Sequence, residues 1–192
     1  MARFAPRRRG LRVRLLFIGP PGAGKGTQAG KVAARLGIPH ISTGEMFRDH
    51  VSRGTGLGLE VEAIMEAGDY VPDELTVAML AERVAQEDAA HGYILDGFPR
   101  TEAQVASLDR MLGDRGLDRV IVITVDEDEL TQRLLARGRA DDTEETVRNR
   151  FQIYQSQTQP LIDIYESRGL TVYVDGIGEV EDVTDRILSV IE

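Results

Sequence analysis

Cysteine is absent from the 192 residues, which excludes a disulfide framework and any zinc site built on thiolates. Histidine occurs three times, as His40, His50 and His91, at spacings that match no metal-ligand pattern, so these read as loop or packing residues. No apolar run approaches the roughly 20 residues that a membrane-spanning helix needs. Lysine is scarce too: Lys25 and Lys31 stand against 21 arginines, so an isolated arginine means little and clusters at fixed spacing mean more. What remains is an acidic chain, 42% hydrophobic and 29% charged, long enough for one domain with a substantial core.

The charge is unevenly spread. Net charge is −9, yet six arginines (Arg3, Arg7, Arg8, Arg9, Arg12, Arg14) and no acid fall in the first fourteen residues, leaving about −15 on the remainder. An acidic body repels polyanions, which argues against nonspecific nucleic-acid binding. The leader 1–12 reads either as an address or anion-binding arm, or as a disordered segment from an upstream start codon. It lacks the apolar stretch of a secretory signal, so the second is expected, and with it a cytoplasmic location.

Strand-like runs fall at 13–18, 93–95, 119–125 and 171–174, with a shorter one at 40–42. Helical patterns occupy 25–36, 44–53, 57–67, 73–88, 101–113, 127–137, 143–167 and 179–191. Alternation of this kind implies parallel strands joined by right-handed crossovers, hence a three-layer α/β sandwich with helices on both faces. Residues 42–71 interrupt it with helical segments and glycines, which suggests a small helical lobe set on the core. Residues 136–146 are short, charged and apolar-poor, and suggest a cover. Asp142 with Glu145 has the spacing of a capping box, and Pro160 is expected to kink the long helix that follows.

The densest chemical signal is Gly19-Pro20-Pro21-Gly22-Ala23-Gly24-Lys25-Gly26-Thr27-Gln28, directly after the apolar run 13–18. Strand, glycine-rich turn, lysine and helix is the order that wraps polyphosphate. Glycines let backbone N–H groups converge on phosphate oxygens, the helix N-terminus adds positive potential, and Lys25 adds a mobile charge. Gly26 stands where a hydroxyl is usual, and the hydroxyl comes one position later as Thr27. In a parallel sheet this loop and the segment 96–100 both lie beyond strand carboxyl ends, so they share one crevice.

Three more segments stand out: Ser42-Thr43-Gly44-Glu45-Met46-Phe47-Arg48, Leu95-Asp96-Gly97-Phe98-Pro99-Arg100-Thr101, and Gly138-Arg139-Ala140-Asp141-Asp142. With the glycine-rich loop they resemble the adenylate kinases, and the Asp-Gly-Phe-Pro-Arg run is highly specific to nucleoside monophosphate kinases. The resemblance runs from about Val13 to the C-terminus. It implies a P-loop NTPase fold with a central parallel five-stranded sheet, a helical AMP-binding lobe at 42–71 and a short lid at 136–146. It also implies a monomer that converts ATP and AMP into two ADP with Mg²⁺ and without zinc.

Residue by residue, the resemblance assigns Lys25 and the backbone of Gly22, Ala23, Gly24, Gly26 and Thr27 to the ATP phosphates. Arg133 would stack beside the ATP adenine, Arg137 would touch its phosphates, and the Gly178 backbone would face the base. Arg48, Arg100, Arg139 and Arg150 would grip the AMP phosphate or bridge both nucleotides. Thr43 and Gln104 would read the AMP base, with Asp69, Tyr70 and Val71 lining its pocket and Gly97, Phe98 and Pro99 forming the hinge beneath it. Asp96 ends a buried strand, where an unpaired carboxylate is costly; it reads as ordering Mg²⁺-bound waters rather than as a helix cap. Asp142 could pair lid arginines or cap a helix. Arg148 reads as a helix-surface residue.

The chemistry fits this inventory. An acceptor that is already a phosphate anion needs no catalytic base, only charge neutralisation, alignment and exclusion of water. No Ser-His-Asp or Cys-His grouping is found. Thr43 with Gln104 favours AMP over UMP or CMP. Two rival classes remain: a nucleotide-dependent switch, which the missing Asn-Lys-x-Asp motif and the surplus of arginines oppose, and a nucleic-acid binder, which the acidic body opposes.

Overall fold

The computed structural model describes residues 13–137 and 143–191. The strands are β1 (Val13–Ile18), β2 (His40–Ser42), β3 (Gly92–Asp96), β4 (Arg119–Thr124) and β5 (Thr171–Asp175), all parallel, in the order β2-β3-β1-β4-β5. The helices are α1 (Lys25–Leu36), α2 (Thr43–Ser52), α3 (Gly56–Ala67), α4 (Asp73–Val84), α5 (Glu102–Leu112), α6 (Glu127–Arg137), α7 (Glu144–Ile153), α8 (Leu161–Ser167) and α9 (Val180–Ile191).

Period-two alternation sorts the central strands into two layers. Leu16 and Ile18 of β1, Leu95 of β3, and Val120 and Val122 of β4 meet Leu80 of α4, Val105 and Leu108 of α5, and Leu161 and Tyr165 of α8. Their neighbours Leu15, Phe17, Ile94, Ile121 and Ile123 face the other way, against Val32 of α1, Leu130 of α6, and Val183 and Ile187 of α9. A sheet buried on both faces needs near-continuous apolar strands, which is how these runs read. Phe47, Val61, Val71 and Met79 form a smaller third cluster under α2 and α3.

This is the expected α/β P-loop NTPase architecture, with β1 at the point where the connections diverge to either side. The strand at 93–95 extends to Gly92–Asp96 because β1 and β2 both pair with it, and β4 stops at Thr124 rather than 125. The helix expected over 73–88 ends at Val84 and is followed by a separate 3₁₀ turn at Glu87–His91. The single helix expected over 143–167 is three pieces: α7, a π turn at Tyr154–Thr158, and α8. Pro160 offers no N–H and crowds the carbonyl four residues back, and the chain answers with a wider turn closed by the Gln159 N–H to the Tyr154 carbonyl at 2.8 Å.

The cap of α7 also differs from expectation. Thr143, not Asp142, is the N-cap, its hydroxyl accepting the Thr146 N–H at 3.1 Å. The leader 1–12 and residues 138–142 of the segment 136–146, Asp142 among them, lie outside the described residues. No helix among the described residues is long and apolar enough to cross a membrane.

Candidate active site

A cleft of about 630 Å³ opens at the carboxyl ends of β1 and β3. On one side is the loop 19–28. Gly22 and Gly24 both have φ of +86°, and a Cβ on Gly22 would stand 2.8 Å from the Leu130 carbonyl oxygen, so the turn admits no side chain there. Gly24 is the N-cap of α1 and supplies no side-chain acceptor, unlike the hydroxyl caps Ser42, Thr55, Thr101 and Thr143 of α2, α3, α5 and α7. The N-terminus of α1 thus has no side-chain cap between it and an approaching anion. Lys25 arches back over the loop, Nζ donating to the carbonyls of Gly19 at 2.7 Å and Pro20 at 2.9 Å.

Asp96 sits at the floor, where β3 ends. Burial pushes its carboxyl up, but the opposing pull of His40, Lys25 and Arg100 wins, and it is held below its ordinary 3.8. His40 Nε2 lies 3.4 Å from Asp96 Oδ2, an ion-pair distance without hydrogen-bond alignment. One ionised, buried carboxylate beside a phosphate loop is the donor set of a divalent ion that arrives with a polyphosphate and keeps its waters, rather than of a protein cage. No cluster of three His, Cys, Asp or Glu side chains suited to a metal occurs among the described residues.

Across the cleft a second set of groups converges on the hinge after β3. Gly97 has φ of +79°, and a Cβ there would fall 2.9 Å from Arg100 Nη2 and 3.1 Å from Thr43 Oγ1. The Gly97 carbonyl accepts from both neighbours, Thr43 Oγ1 at 2.9 Å and Arg100 Nε at 2.7 Å. Gln104 Oε1 accepts the Arg100 N–H at 2.7 Å, and Gln104 Nε2 donates to Asp73 Oδ1 at 2.6 Å. Asp73 Oδ2 accepts from Thr101 Oγ1 at 2.8 Å, so one carboxylate at the start of α4 steadies both ends of this turn.

Arg48, Arg150, Asp69, Tyr70, Val71 and Pro99 line the same cleft, as do Arg133 and Gly178 at its far end. Asp69 accepts from Asn149 at 2.8 Å. Arg133 is clamped by Glu129 Oε1 at 2.8 Å and the Gly176 carbonyl at 3.0 Å, which presents its guanidinium beside the loop.

One expected residue turns away from the cleft, and two fall outside the described side chains. Phe98 turns into the core and is 1% exposed, so its side chain does not line the cleft; the hinge contributes Gly97 and Pro99 instead. The Arg137 side chain and the whole of Arg139 lie outside the described residues. Arg148 lies on the exposed face of α7, 3.1 Å from Glu144.

Sequence reasoning passed over several participants. His40 was read as a packing residue, and no spacing links it to Asp96; only the pairing of β2 with β3 does. Asp73, Thr158 and Tyr154 likewise reach the site through tertiary contacts alone.

A sequence model described as Adenylate kinase matches residues 17–170. The chain belongs to the adenylate kinase family. Among relatives that carry the name adenylate kinase, the Kocuria rhizophila protein is 49% identical over 185 residues, covering 93% of this chain and 98% of its own. The Nocardioides protein is 52% identical over 186 residues, covering 94% and 97%. The Thermobifida fusca protein is 49% identical over 186 residues, covering 94% and 98%. As an adenylate kinase the chain is a nucleoside monophosphate kinase, and the reaction is the reversible transfer of the terminal phosphoryl group from ATP to AMP, giving two ADP.

Proposed function

We propose that the two nucleotides lie end to end in this one cleft, ATP along the loop 19–28 and AMP under the hinge 97–104. The observation that supports it most is the convergence of a phosphate loop, a buried carboxylate and Arg48, Arg100 and Arg150 on a single cavity. Lys25 and the backbone of Gly22, Ala23, Gly24, Gly26 and Thr27 hold the β- and γ-phosphates. Arg133 flanks the ATP base, with the Gly178 backbone facing it. Arg48, Arg100 and Arg150 grip the acceptor phosphate, and Arg137 and Arg139 complete the ring of cations from the segment 136–146. Asp96 would hold Mg²⁺ through bound water, and such an ion would supply neutralisation of polyphosphate charge. The guanidiniums do the rest: they draw two mutually repelling anions together and stabilise the charge that spreads over the transferring group.

Hydrogen-bond polarity supports AMP as the acceptor. Thr43 has spent its hydrogen on the Gly97 carbonyl, so toward the cleft its oxygen only accepts. Gln104 has spent Oε1 on the Arg100 N–H and one N–H on Asp73, which leaves one N–H to give. An acceptor beside a donor matches the 6-amino group and N1 of adenine. Hypoxanthine, guanine and uracil present the reverse order at those positions.

The described groups of the site all come from one chain, in keeping with a monomer, and we assign the protein to the cytoplasm, where an enzyme acting on ATP and AMP meets its substrates. The test is direct: ATP, AMP and Mg²⁺ should yield ADP, and two adenosines joined by five phosphates should compete with both substrates. No ADP above a Lys25→Ala control would overturn the kinase reading. Competition with one substrate only would overturn the end-to-end arrangement, and UMP outperforming AMP would overturn the choice of base.

A further inference from the structure

Tyr70 belongs to a chain of contacts that the nucleotide reading leaves unused. Its ring lies against the Arg100 guanidinium, 4.8 Å from centroid to Cζ, within the range of a cation–π contact. Its hydroxyl is 2.8 Å from Thr158 Oγ1, and Thr158 Oγ1 donates to the Arg100 carbonyl at 2.9 Å. A threonine hydroxyl has one hydrogen, so Tyr70 is the donor in the first of these bonds. The π turn at Tyr154–Thr158 is where this Thr158 contact originates.

Arg100 is thereby held at every point but one. Its N–H goes to Gln104, its carbonyl to Thr158, its Nε to the Gly97 carbonyl, and its flat face to Tyr70. The Nη1–Nη2 fork is what remains to meet a phosphate. A tyrosine serving only to line a sugar or base would keep its hydroxyl for the ligand; this one has spent it on protein.

We propose that Tyr70 is a positioning residue for Arg100: the ring sets the plane of the guanidinium, and the hydroxyl, through Thr158, fixes the backbone that carries it. This rests on the reading of Arg100 as an acceptor-phosphate residue. A pre-set fork loses less freedom when AMP binds and stands in register with the transferring group, so both AMP binding and turnover depend on it.

Steady-state kinetics with AMP and ATP varied separately test this. Tyr70→Leu should lower kcat/KM for AMP by about tenfold or more, with kcat reduced as well as KM raised, while KM for ATP stays within about twofold. Tyr70→Phe keeps the ring and should lose only about threefold, and Thr158→Val should match it without adding to it. In an Arg100→Lys background, which has no planar face to support, Tyr70→Leu should cost only the roughly threefold that the hydroxyl path carries. An equal loss in both backgrounds would mean that Tyr70 touches the nucleotide directly, and the proposal fails while the cleft reading stands. Unchanged AMP kinetics in Arg100→Lys alone would bring down the cleft reading and this proposal with it. Should Tyr70→Leu not fold, by thermal melting, the Tyr70→Phe and Thr158→Val pair decides: losses that multiply in the double variant refute the shared path.

Discussion

The two banks of the cleft are built on opposite plans. The donor bank is local: ten consecutive residues, 19–28, supply turn, lysine and helix N-terminus, and Lys25 donates to the Gly19 and Pro20 carbonyls of the same loop. The acceptor bank is assembled from afar: Thr43, Tyr70, Asp73, Gln104 and Thr158 come from separate stretches and meet around Gly97 and Arg100. A backbone cradle recognises what all polyphosphates share. A set of interlocked side chains can tell one base from another, at the cost of depending on many positions.

Single substitutions should expose that difference. The largest effects fall on the two cations: Lys25→Ala and Arg100→Ala should each lower turnover by about 10²–10³-fold. Melting temperature should move little, since neither side chain is part of the hydrophobic core. The split in Michaelis constants separates the banks, with Lys25→Ala acting on ATP and Arg100→Ala on AMP; near-normal turnover in either breaks its assignment.

Next come the glycines. Gly22→Ala and Gly97→Ala both force a Cβ into positive φ and into close contact, and each should cost about 1–3 kcal/mol in urea unfolding. Gly22→Ala should weaken ATP, and Gly97→Ala, pressing on Arg100 and Thr43, should weaken AMP. Asp73→Ala follows at about 1–3 kcal/mol, because the buried Gln104 amide is left with an unmet donor. It should also narrow the preference for AMP over IMP, measured as a ratio of kcat/KM; an unchanged ratio would show that Gln104 does not read the base. A donor-bank change such as Lys25→Ala should leave that ratio alone.

The smallest effect is in the pH dependence. Burial, helped by Tyr70 and Tyr173, pushes the Tyr154 phenol from an ordinary 10.0 up to about 12. The folded state thus favours the neutral phenol, and its contribution is whole below pH 10 and lost as pH rises from 10 toward 12. Tyr154→Phe should flatten that alkaline loss in pH-dependent melting and leave the curve near neutrality unchanged.

The same contrast explains what could be read in advance. The sheet was legible because a strand buried on both faces must be apolar throughout, and the first strand and first helix were read to their ends, 13–18 and 25–36. The phosphate loop was legible because its function and its sequence are contiguous. Arg48, Arg100 and Gln104 were named only through motifs, since no periodicity in the chain says that they face one cavity. Their supports were not legible at all: His40, Asp73 and Thr158 are ordinary residues at ordinary spacings until β2 pairs with β3 and α4 meets α5. The helix read over 143–167 was right in extent and in its disturbance near Pro160, but a proline does not say whether the chain kinks or widens.

That widening leaves a mark of its own on what the gene can tolerate. A π turn carries one residue more than the α ladder calls for, and each residue advances a helix by about 100°. Losing a single codon between Tyr154 and Thr158 would let the ladder close regularly and would swing the threonine hydroxyl away from the hinge. Many substitutions along these five positions should be borne, yet a one-residue deletion should not: here length, more than lettering, is what the hinge contact requires.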